Sequence, residues 1–279
     1  MKKITLLLLV LCVTAGFAAA EDEGTGLTAG LEFGIGNISK ANDGDTEPYL
    51  MPIVIYEKSF LDGAVDLYAE ADYTFGFSKV PNDKGEEVNP QSLYLDISVG
   101  YNLKLGEEST LSFILENEFD ELIISPQYKD GNSLYGIFTP AVKYNREIAI
   151  GDLYAQIGAP ITYSQYYKNA ETLIGLDCTL GWKSVFGLGI EAKICSLLSP
   201  SEFSGYTGFE ATVSYEKDEI YFEVEAIVPK ESDIEGITIT PEFDYSFKNF
   251  TFYIKSEFAG IGTKGDVVIS PALGVKYSF

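Results

Sequence analysis

The charged side chains of this sequence are 42 Asp and Glu and 19 Lys and Arg, with no His at all, for a net charge of -23. Carboxylates in such number can hold cations, line a hydrated surface or pair with lysines. The commonest general base and the commonest metal ligand are both missing with histidine, so catalysis would have to run on carboxylates alone. No catalytic residue, metal ligand or cofactor is assigned on these grounds. Nucleic acid is excluded as a partner, because phosphate neutralisation needs Lys and Arg. The three cysteines, Cys12, Cys178 and Cys195, lack zinc-site spacing.

What positions the acids is a period of two. Val65, Leu67, Ala69, Ala71, Tyr73, Phe75 and Phe77 alternate with Ala64, Asp66, Tyr68, Glu70, Asp72, Thr74 and Gly76. Three acids on one face and only apolar residues on the other suit a wall between water and lipid. Leu27, Ala29, Leu31, Phe33 and Ile35 repeat the pattern against Thr28, Gly30, Glu32 and Gly34, as do Tyr49 to Tyr56, Leu93 to Lys104, Leu111 to Phe119 and Leu134 to Tyr144. Further strands are predicted at 152–165, 172–183, 187–196, 205–216, 219–228, 236–247, 250–259 and 267–279. The expected fold is all-β: a transmembrane antiparallel up-and-down barrel of about 14 strands, or 12 or 16 if the segments around Gly187 or Gly260 divide otherwise.

Connections support this. Links after even strands are short, as at Glu216 to Asp218 and Lys248-Asn249, while those after odd strands are longer and polar, as at Ser78 to Pro90. That asymmetry is the one expected of short periplasmic turns and longer outer loops. Residues 1–20 read as a cleaved signal peptide: Lys2 and Lys3, the apolar run Ile4 to Val13, and Ala18, Ala19 and Ala20 before Glu21. Cys12 would leave with it. Residues 21–279 are then one barrel domain, and the few residues before Leu27 leave no room for an N-terminal plug. Cys178 is expected on the lipid side and Cys195 on the lumen side, which argues against a disulfide between them.

Each even strand carries an aromatic residue near its short turn, namely Tyr56, Tyr101, Tyr144, Trp182, Tyr215, Tyr245 and Tyr277, a periplasmic girdle by position. Pro52, Pro140, Pro241 and Pro271 precede four of these, and Pro160 lies in strand seven. Proline lacks an N–H and a closed barrel has no free edge, so either these positions lie at bulges or the strand limits differ there. The final strand, VVISPALGVKYSF, resembles the C-terminal insertion signal of bacterial outer-membrane proteins through Gly274, Tyr277 and Phe279, with Ala272 where a polar residue is usual. As a whole the chain resembles the small monomeric porins of about 14 strands. The long-chain fatty-acid transporters, of similar strand number, carry a hatch for which this chain has no residues.

Alternation places Glu32, Asp66, Glu70, Asp72, Asp96, Glu116, Glu118, Asp120, Asp177, Glu191, Glu210, Glu223, Glu225, Glu242, Asp244 and Glu257 inside, against Lys104, Lys143, Lys183, Lys193, Lys255 and Lys276. Lys104, Lys143, Lys183 and Lys276 lie near the girdle, predicting an acidic middle above a basic periplasmic mouth. The loop Glu121 to Ser133 carries Leu122, Ile123 and Ile124, and either folds inward as a constriction or lengthens strand five. The resemblance implies a bacterial outer-membrane channel, not an enzyme, for passive diffusion of small hydrophilic solutes. The acidic lumen adds a preference for cationic ones. Its implied partners are outer-membrane lipid and, during biogenesis, periplasmic chaperones and the barrel-assembly machinery, with the protein a monomer. The alternative is a surface-exposed structural or adhesive protein with a narrowed lumen and partner-binding loops.

Overall fold

In the computed structural model, the described residues are 26–36, 46–81, 85–123, 133–164, 173–198, 203–230 and 236–279. The signal segment with Cys12 and most of the loop 121–133 lie outside them. Among the described residues no helix is long and apolar enough to cross a membrane, a statement that leaves crossing by strands open.

The wall is a closed antiparallel barrel of 14 strands. They are β1 (Leu27–Gly36), β2 (Glu47–Phe60), β3 (Val65–Gly76), β4 (Gln91–Lys104), β5 (Ser109–Ile123), β6 (Ser133–Ile148), β7, β8 (Leu173–Ser184), β9 (Leu188–Leu198), β10 (Phe203–Lys217), β11 (Ile220–Pro229), β12 (Ile237–Phe247), β13 (Phe250–Ile261) and β14 (Val268–Ser278). The seventh position, β7, is filled by two pieces, Gly151–Gly158 and Ile161–Ser164, both lying between β6 and β8. Each strand pairs with its chain neighbours, and β1 closes the ring on β14 from Thr28↔Ser278 to Gly34↔Ala272. Closure is what lets the backbone satisfy its own hydrogen bonds without a free edge.

Short turns at 61–64, 105–108, 149–150, 185–187, 218–219 and 248–249 join the strands at one end, and longer links join them at the other. Several strands run past the limits set by composition. β2 continues four residues beyond Tyr56 to Phe60, because Glu57 and Lys58, polar as they are, stay paired with Tyr68 and Leu67. β5 likewise runs to Ile123, opposite Ser133 on β6, so the two ends of the 121–133 segment lengthen the wall. The stretch from Ser78 to Pro90 is not all loop: Val80–Pro81 and Glu87–Val88 pair as a small hairpin outside the ring.

The prolines need no bulge in their own strands. Pro52 pairs with Leu31 on β1, and the ladder to β3 skips from Leu50↔Phe75 to Ile53↔Asp72. Pro241 pairs with Val224 on β11, while the ladder to β13 skips from Ile239↔Phe258 to Glu242↔Lys255. Pro271 pairs with Ser256 and stands one residue past the last β1 partner, Ala272. Pro140 pairs with Leu115 and faces the break in β7, across which Ala159 N–H donates to its carbonyl at 2.9 Å. In each case one ladder is intact and the missing donor falls on a gap in the other.

Outside, the wall is apolar and open to its surroundings: Leu180 is 66% and Ile254 58% exposed, and Phe113, Ile157, Ile190 and Phe252 lie out in the same way. A soluble β-domain would bury such a band against a second layer. Here most buried positions face the lumen, among them Glu32, Ile53, Asp96, Thr179 and Tyr253, while Tyr73 and Gln91 are buried on the outer face, where the Tyr73 hydroxyl donates to Gln91.

Candidate functional site

Direct cross-strand partners share a face, so the pairing assigns every wall side chain to lumen or exterior. Glu70 on β3, Asp96 on β4 and Glu118 on β5 form one inward row. Glu116 is on the same face of β5, and Asp66 and Asp72 on that of β3. Across the ring, Glu225 lies in line with Thr212 and Glu191, Glu223 with Glu242, and Asp244 with Tyr221 and Tyr253. Glu257 stands opposite Ser270. Asp120, also expected inside, falls at the β5 register shift, and its side chain is outside the described set.

Opposed carboxylates repel, and two lysines offset part of this. Lys193 reaches Glu210 at 2.9 Å and Asp177 at 3.7 Å. Lys255 lies 2.8 Å from Glu32, whose side chain is 1% exposed. Glu32 also accepts the hydroxyl protons of Tyr49 and Tyr253, each at 2.8 Å. One carboxylate thus joins β1, β2 and β13, two of them on either side of the closing seam.

The inward tyrosines are the functional set that composition did not single out. Besides Tyr49 and Tyr253, Tyr68 donates to Glu70, Tyr154 to Glu191 and Tyr221 to Glu223. Tyr163 is different: it shares the outer face with Gly136 and Phe119, and there it donates to Asn117 at 3.1 Å. Three of the inward rings lie over a glycine directly opposite on the next strand, Tyr49 over Gly34, Tyr253 over Gly274 and Tyr154 over Gly181, and on the outer face Tyr163 covers Gly136 in the same way. A Cβ on Gly274 would meet Tyr253 Cζ at 2.3 Å, and one on Gly181 would meet Tyr154 Cζ at 2.1 Å. Glycine therefore lets the ring lie along the wall, leaving the lumen free while aiming the hydroxyl at a carboxylate. The sequence contained a signal, since Tyr68 alternates on the face of Asp66 and Glu70, but the Tyr–Gly pairs become visible only once the register is known.

At the short-turn end Lys104, Lys143 and Lys183 line one cavity of about 710 Å³ with Asp66, Asn102, Asp152 and Tyr154. Asp66 accepts from Ser59 and Asn102, each at 2.6 Å, and Lys183 pairs with Glu216 at 2.8 Å. Lys143 stands 4.1 Å from the centre of the Tyr154 ring. The mouth is mixed in charge, not purely basic. Lys276 is not part of this cavity: its ammonium lies 5.0 Å from the centre of the Tyr253 ring, beside the Glu32 network. Two further cavities of about 290 Å³ each border the Glu191 region, one bounded by Glu216 and Glu223, the other by Glu116 and Lys193.

Cys195 points inward and donates to Glu210 at 3.3 Å, while Cys178 is exposed on the outer face opposite Ile157; both are free. Tyr56, Tyr101, Tyr144, Trp182, Tyr215, Tyr245 and Tyr277 all share the outer face with their paired neighbours. At the C-terminus Phe250, Tyr277 and Phe279 form a ring cluster with centroids 4.8 Å apart in each successive pair. Ala272 is buried in one row between Gly34 and Lys255.

A closed antiparallel wall, apolar and exposed outside and lined by charged and tyrosine side chains within, is a β-barrel of the bacterial outer-membrane type. No family model matches the chain, and no curated protein matches it in sequence. Among solved structures it is similar to a triple mutant of the Rhodopseudomonas blastica porin, at 9% identity and a TM-score of 0.44, covering 91% of this chain and 99% of that one. It is similar also to OccK11 of Pseudomonas aeruginosa, at 7% identity and a TM-score of 0.44, over 90% of this chain and 94% of that one. CdiB from Acinetobacter baumannii aligns at 10% identity and a TM-score of 0.46, over 90% of this chain but 60% of that one. At these scores the likeness carries no weight; the class rests on the chain's own wall.

Proposed function

We propose that the chain is a porin-like channel of the outer membrane, monomeric, through which small hydrophilic solutes diffuse passively and cations pass more readily than anions. Residues 1–20 would be its cleaved export signal, with periplasmic chaperones and the barrel-assembly machinery acting before insertion. The observation that carries this reading is the sorting of charge across the wall. Every acidic residue of the wall strands whose face the pairing defines looks inward, where Glu70, Asp96, Glu118, Glu223 and Glu242 stand in rows and the inward lysines Lys193 and Lys255 pair with Glu210 and Glu32. Such a lining raises the local concentration of cations. The ionisable side chains are spread in rows around the ring and do not converge on one reacting centre, which supports transport over catalysis.

A second reading, a structural or adhesive barrel whose loops bind a partner, is favoured by one observation. Glu32, Tyr49, Tyr253 and Lys255 form a bonded cluster in which the carboxylate is buried, a tightly built seam of the kind a structural wall needs and an open passage does not. Planar-bilayer recording of the refolded protein under a KCl gradient separates the two. Discrete conductance steps with a cation-selective reversal potential are expected. An absence of steps sinks the channel reading, whereas steps with anion preference remove only the argument from the acidic wall.

A further inference from the structure

The outer face of the wall is charged at three places, and all three are basic. By pairing, Lys58 lies outward with Leu67, where both also border the short-turn cavity, Arg146 with Leu153 and Lys217 with Ile220. Among the described strand residues no acid shares that face. Each base stands two residues nearer the short turns than a girdle tyrosine, Tyr56, Tyr144 and Tyr215 respectively, and on the same side of its strand. Two residues span about 6.6 Å along a strand, so the charges fall just beyond the aromatic ring, where a bilayer changes from glycerol to phosphate. All three are exposed, and none makes an ion pair with any described residue. Arg146 is the single arginine of the chain. In a protein of net charge -23 that keeps its other paired lysines inside, three unpaired outward cations at one level require a partner.

We propose that Lys58, Arg146 and Lys217 bind the phosphate groups of anionic lipids in the periplasmic leaflet, and so fix the depth of the barrel in the membrane. The occupant follows from continuity: the apolar wall that the acyl chains cover ends at these residues, and a lipid lying along Leu153 or Ile220 brings its phosphate to the adjacent base. Arg146 can grip two phosphate oxygens through its planar fork, and the lysines act as point charges on stems that follow the apolar wall. The inference rests on the membrane-barrel reading and adds to it a headgroup class and three residues.

The structure also supplies the reporter. The chain has one Trp, Trp182, which faces outward in the same row as Arg146, with Leu153 between them. The barrel is refolded into vesicles of mixed phosphatidylcholine and phosphatidylglycerol with one or the other brominated on its chains, and quenching of Trp182 emission is read. Brominated phosphatidylglycerol is expected to compete for the site about fivefold better than brominated phosphatidylcholine, the advantage of one cation at an anionic surface, and that advantage should shrink as salt is raised. Arg146→Gln should abolish it, Arg146→Lys should keep it, and Lys58→Gln and Lys217→Gln, on other sectors, should leave it as it is.

Equal competition in the wild type, or an undiminished preference in Arg146→Gln, overturns the proposal. So does a preference lost on adding millimolar inorganic phosphate, which would make the site one for a free ion. If neither brominated lipid quenches Trp182, the membrane-spanning reading itself has failed. Heat-modifiable gel mobility confirms folding, and should Arg146→Gln not fold, the wild-type salt dependence and Arg146→Lys still decide.

Discussion

Removing the Glu32 carboxylate should cost the barrel a large share of its stability, because this one side chain holds three others. Glu32→Ala leaves the hydroxyls of Tyr49 and Tyr253 without the acceptor they share and Lys255 without its nearest anion. An unsatisfied buried hydroxyl costs about 1–3 kcal/mol. Breaking a fully buried ion pair would add about 3–5 kcal/mol. The second figure must be discounted, since Lys255 is one-third exposed and has Glu242 directly opposite on β12. A net loss of about 3–5 kcal/mol is the expected outcome. Glu32→Gln, which keeps an acceptor of the same shape, should lose about 1–2 kcal/mol. The assay is reversible urea unfolding of the vesicle-folded protein followed by Trp182 emission, with Glu32→Ala, Tyr253→Phe and the pair taken as a double-mutant cycle. A change in Glu32→Ala smaller than about 0.5 kcal/mol, or additive single effects in the cycle, would show that the three bonds do not act as a unit at the seam.

Gly274→Ala should destabilise by about 1–3 kcal/mol in the same unfolding assay, because the added carbon would overlap the Tyr253 ring; Tyr253→Ala in that background should relieve most of the overlap. Lys193→Met leaves Asp177 and Glu210 without their shared cation, so the bilayer reversal potential should move further toward cation selectivity while discrete conductance steps persist. A charged, water-soluble methanethiosulfonate added to the refolded protein should modify Cys195 and not Cys178, and mass spectrometry of the digested product reads this directly. The reverse pattern would invert the two faces of β8 and β9.

Strand positions were legible because alternation reports which face is wet, and a wall with lipid on one side and water on the other makes that contrast strong along every strand. Ends were less legible: Glu57 to Phe60 look like a turn by composition, yet the backbone there remains paired, because a barrel strand stays in its ladder wherever its neighbour continues. The prolines posed a real difficulty in sequence, and its solution is a relation between strands. A one-sided gap opposite Pro52 or Pro241 is a property of the neighbouring ladder and leaves no mark in the residues around the proline itself. Lys276 illustrates the other limit. Its backbone height follows from counting residues, but the direction of a long flexible side chain is set by Tyr253, which the register brings to its side from β13.

The tyrosines explain how one lumen can be both acidic and closely built. A row such as Glu70, Asp96 and Glu118 sets like charges on adjacent strands, an arrangement that opposes folding unless something binds the carboxylates. Lysines alone cannot do this, since each cation placed inside also reduces the negative potential that would draw a cationic solute. A phenol binds a carboxylate by donating one proton and brings no charge, so Tyr68 on Glu70, Tyr154 on Glu191 and Tyr221 on Glu223 steady the acids while leaving the sign of the wall intact. Glycine across the strand keeps two of the seam rings, Tyr49 and Tyr253, flat against the wall, so that the support occupies little of the passage. Outside, the logic is reversed. There the surroundings carry the negative charge, the acids are kept away, and the three bases beneath the girdle meet it.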